Sequence, residues 1–305
     1  MDHSNNILNG IEIGLGAWQW GEKNVWGYGE HYHEKDIEEA FSISLERGVK
    51  LVDTAEIYGN GRSEKILGKL LNNQNTHPII ASKLFPYPWR FTQKSVIRAF
   101  EGSLERIGLP RIDLYQIHWP NPIVPMETQL SGLAQMVTAG KLGAIGVSNF
   151  NQCQMFRAVR ILLKYNLPLA ANQVEYNLLN RTIEKNGLLQ RCTEMGIRII
   201  AYSPIAMGLL SGKYNQENPP TGLRGIKYAN QIVKIQPLIR LLTEIGHDHE
   251  GKTAAQVAIN WCICKGTLPI PGAKNFNQAA SNAESAGWRL SEQEVASLDA
   301  ESDRL

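Results

Sequence analysis

Three observations predict an α/β fold, a single (β/α)8 TIM barrel. Eight short apolar runs alternate with amphipathic stretches, no Ser/Gly-rich linker or charge run divides them, and 305 residues suit an α/β barrel built as one unit. The domain is therefore expected to span 1–305. Apolar residues make up 43% and charged residues 20%, enough to bury a sizeable core and to exclude a wholly disordered chain. Lys and Arg total 31 against 29 acids, a net charge of +2, so no global cationic field argues for nucleic acid as a partner.

The eight runs read as buried strands at 11–17, 49–53, 78–83, 112–118, 142–148, 169–174, 197–203 and 267–270. Before the first, Asn9-Gly10 reads as the tight turn of an N-terminal β-hairpin over 7–13, capping the barrel bottom. Helices are expected near 34–47, 62–72, 92–107, 127–139, 151–166, 182–195, 252–265 and 276–286. The 92–107 segment shows the logic. Thr92 is an N-cap, Val96, Ile97, Phe100, Leu104 and Ile107 recur at helical spacing, and Gly108 and Pro110 end the run. Two extra helices, 232–247 and 292–300, fall outside the alternation. The rival architecture is a doubly wound open sheet. Its dinucleotide fingerprint is weak here, because Gln19 stands where Gly14-Leu15-Gly16 would need a third glycine.

The polar N-terminus carries no signal-peptide pattern, and no window is apolar enough to span a membrane. Cys153, Cys192, Cys262 and Cys264 lack metal spacing and read as free thiols of a reducing cytoplasm, so no metal site is expected.

In a barrel, sites form where strands end. The strand-end polar residues are Asp53, Lys83, His118, Ser148 with Asn149, Gln173 and Ser203, each about one strand–helix unit from the next. They should converge on one mouth. Taken singly, each has an ordinary reading: Asp53 as a helix cap, Lys83 as a snorkelling lysine, His118 as a structural histidine, Tyr58 as loop packing.

Four stretches carry a resemblance across nearly the whole chain: Val52-Asp53-Thr54-Ala55-Glu56-Ile57-Tyr58-Gly59, Ala81-Ser82-Lys83, Leu114-Tyr115-Gln116-Ile117-His118-Trp119 and Gly143-Ala144-Ile145-Gly146-Val147-Ser148-Asn149-Phe150. The chain resembles the aldo-keto reductase superfamily, with the family's tetrad present as Asp53, Tyr58, Lys83 and His118. The resemblance implies hydride transfer between a nicotinamide cofactor and a carbonyl. The chemistry needs these types. Negative charge grows on the carbonyl oxygen, so a proton donor must lie within about 2.6–3.2 Å of it. A phenol can donate, and an adjacent ammonium lowers its pKa. Tyr58 is thus the expected general acid, Lys83 its tuner, Asp53 the orienter and His118 the carbonyl-positioning donor.

The resemblance also implies the cofactor contacts. Ser148, Asn149 and Gln173 would hold the carboxamide, and Tyr202 would stack on the nicotinamide. The loop Ser203, Pro204, Ile205 to Gly208, Leu209 and Lys213 would cover the pyrophosphate, and Gly16, Trp18 and Asp53 are further expected cofactor contacts. Arg224 is a further cation, with a solvated loop arginine as the other reading. Gly272, Lys274, Gln278 and Asn282 would take the adenosine end. Ser281 replaces an acid that many members carry before the Asn, and Gln278 stands where some carry Arg. Lys274 suits a 2′-phosphate, so NADP is expected, with NADPH preferred over NADH.

The substrate would be a small-molecule carbonyl, an aldehyde or small ketone. Trp20, Trp26, Trp89 and Trp119, with Tyr58 and His118, are its expected walls, and five tryptophans (these four and Trp18) are expected to line one mouth. Gly287-Trp288-Arg289-Leu290-Ser291 resembles tails of the branch that includes pyridoxal reductases, making pyridoxal a candidate. A cytoplasmic monomer without nucleic-acid or membrane partners is expected. The rival reading is an NADP-binding regulatory subunit like those attached to membrane channels, with little turnover. A metal-dependent barrel isomerase would need more strand-end carboxylates and histidines than Asp53 and His118.

Overall fold

The computed structural model describes residues 6–72, 77–220 and 231–305. Its centre is one parallel sheet whose strands pair in chain order: β1 (Leu15–Gly16), β2 (Leu51–Asp53), β3 (Ile79–Leu84), β4 (Ile112–Ile117), β5 (Leu142–Ser148), β6 (Leu169–Glu175), β7 (Arg198–Tyr202) and β8 (Leu268–Pro269). The sheet closes on itself. Gly14 and Gly16 donate their N–H groups to Pro269 and Pro271 oxygens, each at 3.0 Å, and Gly16 bridges Gly272. Closure needs glycine at position 16, because a Cβ there would lie 2.8 Å from the Ile270 oxygen.

The helices α1 (Glu34–Glu46), α2 (Arg62–Leu71), α3 (Gln93–Ile107), α4 (Met126–Thr138) and α5 (Gln152–Leu163) follow the first five strands. Thr92 caps α3 by accepting the Ser95 N–H at 3.2 Å, and Gly108 ends it with φ 76°. After β6 the expected single helix is two, α6 (Thr182–Lys185) and α7 (Leu188–Glu194). Gly187 separates them at φ 75°, and Asn186 accepts the Leu188 N–H to start the second. The α8 (Gln236–Asp248), α9 (Ala254–Cys264), α10 (Phe276–Ala283) and α11 (Glu292–Ser302) helices follow later in the chain; α8 packs on α9 and α11. The α8 and α11 helices are the two expected extras. Among the described residues, no helix is long and apolar enough to cross a membrane.

The expected N-terminal hairpin is absent. Residues 6–10 form a turn, with the Asn9 N–H on Asn6 O at 2.9 Å, and the first strand begins at Leu15. Leu8 and Ile11 both bury in the inner core with Leu51, Leu114, Ile200 and Leu268. Residues three apart share a side in a turn, whereas strand alternation would separate them. The segment does plug one end of the barrel.

Candidate active site

Strand alternation places Asp53, Lys83 and Gln116 on the inner face of β2, β3 and β4. Lys83 is fully buried and pairs with Asp53 Oδ2 at 2.5 Å. Its ammonium also donates to Thr54 O at 2.9 Å and to Tyr58 Oη at 3.3 Å. Asp53 Oδ1 accepts from Gln173 at 2.8 Å and Gln116 at 3.2 Å. Burial alone would discharge Lys83, but Asp53 and Tyr58 outweigh it and raise its pKa, so the ammonium stays charged.

An ammonium only donates, so Tyr58 Oη is the acceptor in that contact and its own proton is left for the cavity. Lys83 lowers the Tyr58 pKa as expected, but burial acts against it and is the larger effect. Burial raises the phenol above its ordinary value, and Lys83 recovers only part of that rise. The phenol therefore remains protonated at neutral pH. The His118 ring stands edge-on to Tyr58, with centroids 5.7 Å apart. Burial, with the charge of Lys83 added, pushes His118 down to about 2. It is a neutral imidazole, able to donate one hydrogen bond.

Beside this floor lies an amide network. The Asn149 Nδ2 donates to Ser148 Oγ at 3.0 Å and His118 O at 3.2 Å, and Tyr202 donates to Asn149 Oδ1 at 3.1 Å. Ser148 donates to Gln173 O at 2.9 Å. Gln173 thus has a duty that sequence reasoning missed: its amide nitrogen orients Asp53.

These groups open into a cavity of about 770 Å3. Gly16, Trp18, Asp53, Tyr58, His118, Ser148, Asn149, Gln173, Tyr202, Ser203, Pro204, Ile205, Gly208 and Lys213 line it. So do Trp26, Trp119, Gly272, Lys274, Gln278 and Asn282. Three expected contacts fall elsewhere. Trp20 is 0% exposed and packs edge-on against Phe41, its indole N–H on Ala273 O, so it is core. Trp89 is 65% exposed and stacks on Tyr87 outside the lining. Leu209 turns into the core. Arg224 lies outside the described residues. Of the five tryptophans expected at the mouth, Trp18, Trp26 and Trp119 line it.

The structure adds Gln19, Glu22 and Phe85 to the wall. Gln116 was legible in principle, two residues before His118 on the same strand. Glu56 is a second missed residue. Its carboxylate accepts both Arg90 guanidinium arms and the Phe85 N–H, tying the loop that carries Tyr58 to the loop after β3. The loop after β7 stores strain: Ser203, Ala206 and Met207 have φ 52°, 48° and 54°. Non-glycine residues there cost roughly 1–2 kcal/mol each, a pattern found at ligand clamps.

A nicotinamide dinucleotide fits the residues present. The cavity size is in the range of cofactor sites. Amides and a hydroxyl stand beside the Tyr58 floor, Lys213 and Lys274 rise on the wall, and the Gln19 amide oxygen is buried with no protein partner. No group of three or more metal-ligating side chains occurs among the described residues.

A parallel barrel with a protonated phenol, a buried ammonium and a neutral imidazole at the floor of such a cavity defines a barrel oxidoreductase. The chain belongs to the aldo/keto reductase family, whose model matches residues 12–303. It is 37% identical over 300 residues to the chloroplastic pyridoxal reductase of Arabidopsis thaliana, covering 94% of this chain and 82% of that one. It is 31% identical to the methylglyoxal reductase YeaE of Escherichia coli, covering 94% and 89%. Among solved structures, the glycerol dehydrogenase of Gluconobacter oxydans matches with a TM-score of 0.84 at 27% identity, covering 96% and 91%. An aldo-keto reductase of Klebsiella pneumoniae in complex with NADPH matches at 0.75 and 27%, covering 95% and 90%.

Proposed function

We propose that this chain is an NADP-dependent reductase that converts an aldehyde or small ketone to an alcohol, with Tyr58 as general acid. The observation that carries the reading is the hydrogen-bonded line Asp53–Lys83–Tyr58 ending in the cavity beside His118. A nicotinamide held along this cavity would supply the hydride for the carbonyl carbon. His118 holds the carbonyl oxygen by donating to it. As charge grows on that oxygen, Tyr58 Oη gives it a proton, and the Lys83 ammonium stabilises the phenolate left behind. Asp53, fixed by Gln116 and Gln173, keeps Lys83 charged and aimed. Ser148, Asn149 and Gln173 would bind the carboxamide, and Lys213 and Lys274 the phosphates. Lys274 and the NADPH-bound neighbour favour NADPH over NADH. The aromatic walls and the pyridoxal reductase relative make pyridoxal the first substrate to try.

Tyr58→Phe tests the assignment. Carbonyl reduction should fall at least about a hundredfold while NADPH binding by titration calorimetry is kept. Wild-type turnover in the variant would end the Tyr58 assignment. NADPH and NADH oxidation across aldehydes, ketones and pyridoxal tests the substrate class. Tight nucleotide binding with no turnover on any of them would move the reading to a binding role.

A further inference from the structure

Lys274 lies in the loop after β8. Its ammonium sits 4.7 Å from the Trp26 ring centroid and 5.0 Å from that of Tyr32, and donates to the Trp26 oxygen at 3.3 Å. Both rings come from the loop after β1, at the other end of the chain. Each is nearly buried and anchored: Trp26 stands edge-on against Trp18 at 5.4 Å, and the Tyr32 hydroxyl donates to Gln19 O. Gln19 in turn lies over Gly272, where a Cβ would come within 2.1 Å of its side chain. The first loop of the barrel is therefore docked on the last at three points: Gln19 on Gly272, the Trp20 indole N–H on Ala273 O at 3.2 Å, and the aromatic pair around Lys274.

Lysine on an open loop samples many rotamers and loses that freedom when it captures an anion. Ring faces attract a cation without neutralising it. An ammonium bracketed in this way keeps its charge at a fixed place on the cavity wall. We propose that Trp26, with Tyr32, is a positioning residue for dinucleotide selectivity: the aromatic bracket holds the Lys274 ammonium where a 2′-phosphate binds. Discrimination between NADPH and NADH is then set by the first loop of the barrel as well as by the last. The inference rests on the proposed role of Lys274.

Titration calorimetry with NADPH and with NADH tests it on the wild type, Trp26→Leu, Trp26→Phe, Tyr32→Leu, Lys274→Met and the Trp26→Leu/Lys274→Met double variant. Lys274→Met should abolish the preference for NADPH. Trp26→Leu should weaken NADPH by about tenfold and NADH by less than about twofold. Trp26→Phe should retain most of the preference. In the double variant, Trp26→Leu should add little, because both changes act through one contact. Tyr32→Leu should repeat the selective loss if Trp26→Leu does not fold. Equal weakening of both nucleotides, or tighter NADPH binding, in Trp26→Leu or Tyr32→Leu would overturn the bracket while Lys274→Met still behaves as expected. An unchanged nucleotide preference in Lys274→Met overturns the Lys274 assignment, and the bracket with it.

Discussion

The floor and the rim of the cavity handle positive charge in opposite ways. At the floor, Lys83 and Asp53 are almost wholly excluded from solvent, and each makes at least three hydrogen bonds to the protein. At the rim, the Lys213 ammonium rests 4.7 Å over the Tyr214 ring and Lys274 rests over Trp26. In the proposed function the floor charge governs a proton and must be oriented before substrate arrives, which burial and pairing provide. In the proposed function the rim charges capture and release an anion, and ring faces suit that by attracting a cation without discharging it.

The largest expected effect would come from breaking the floor. Asp53→Asn leaves Lys83 buried without its counter-charge, which should cost about 3–5 kcal/mol of unfolding free energy in urea. An unchanged urea midpoint would mean that the pair does not hold the floor, and the contrast with the rim would vanish.

An intermediate effect concerns pH. The folded His118 is depressed to about 2 from its ordinary 6.5, so its contribution to stability is complete above pH 6.5. As pH falls below 6.5 the unfolded chain takes a proton that the folded chain refuses, and that stability is lost progressively towards pH 2. Wild-type unfolding free energy should therefore fall between pH 7 and pH 4, by up to about 1.4 kcal/mol per pH unit from this group. His118→Gln should show a shallower fall, and parallel curves for the two proteins would contradict a buried neutral ring.

The smallest effect is expected just outside the rim. Trp89→Ala removes an exposed ring stacked on Tyr87, which should cost less than about 1 kcal/mol in thermal unfolding. Because Trp89 is outside the cavity lining, KM for aldehydes should move less than about twofold. A large rise in KM would extend the substrate wall outward along the Phe85–Tyr87–Trp89 ring ladder.

Much of this arrangement was legible in the sequence. Runs such as 142–148 match their strand, because a strand enclosed by a barrel wall reads as an apolar stretch bounded by polar ends. Asp53, Lys83 and His118 were found by the same rule, since strand ends point their side chains at one mouth. The failures have a common cause. Trp18 and Trp20 are two residues apart, yet one lines the cavity and the other packs against Phe41, because only the path of the loop after β1 decides which side each ring faces. The hairpin reading failed because Asn9-Gly10 marks a turn whether or not strands flank it. What flanks it was decided by the inner core, which takes up both Leu8 and Ile11.

Sequence by itself determined the order of the eight strands, the position of Asp53, Lys83 and His118 at consecutive strand ends and the family. These depend on periodicity and on residue types within one strand–helix unit. Only the tertiary structure decided the sign of the Tyr58 shift, the tie between Gln173 and Asp53, and the seating of Lys274 against rings from the first loop. Each of these depends on burial and on contacts between groups far apart in the chain, which exist only once the sheet has closed on itself.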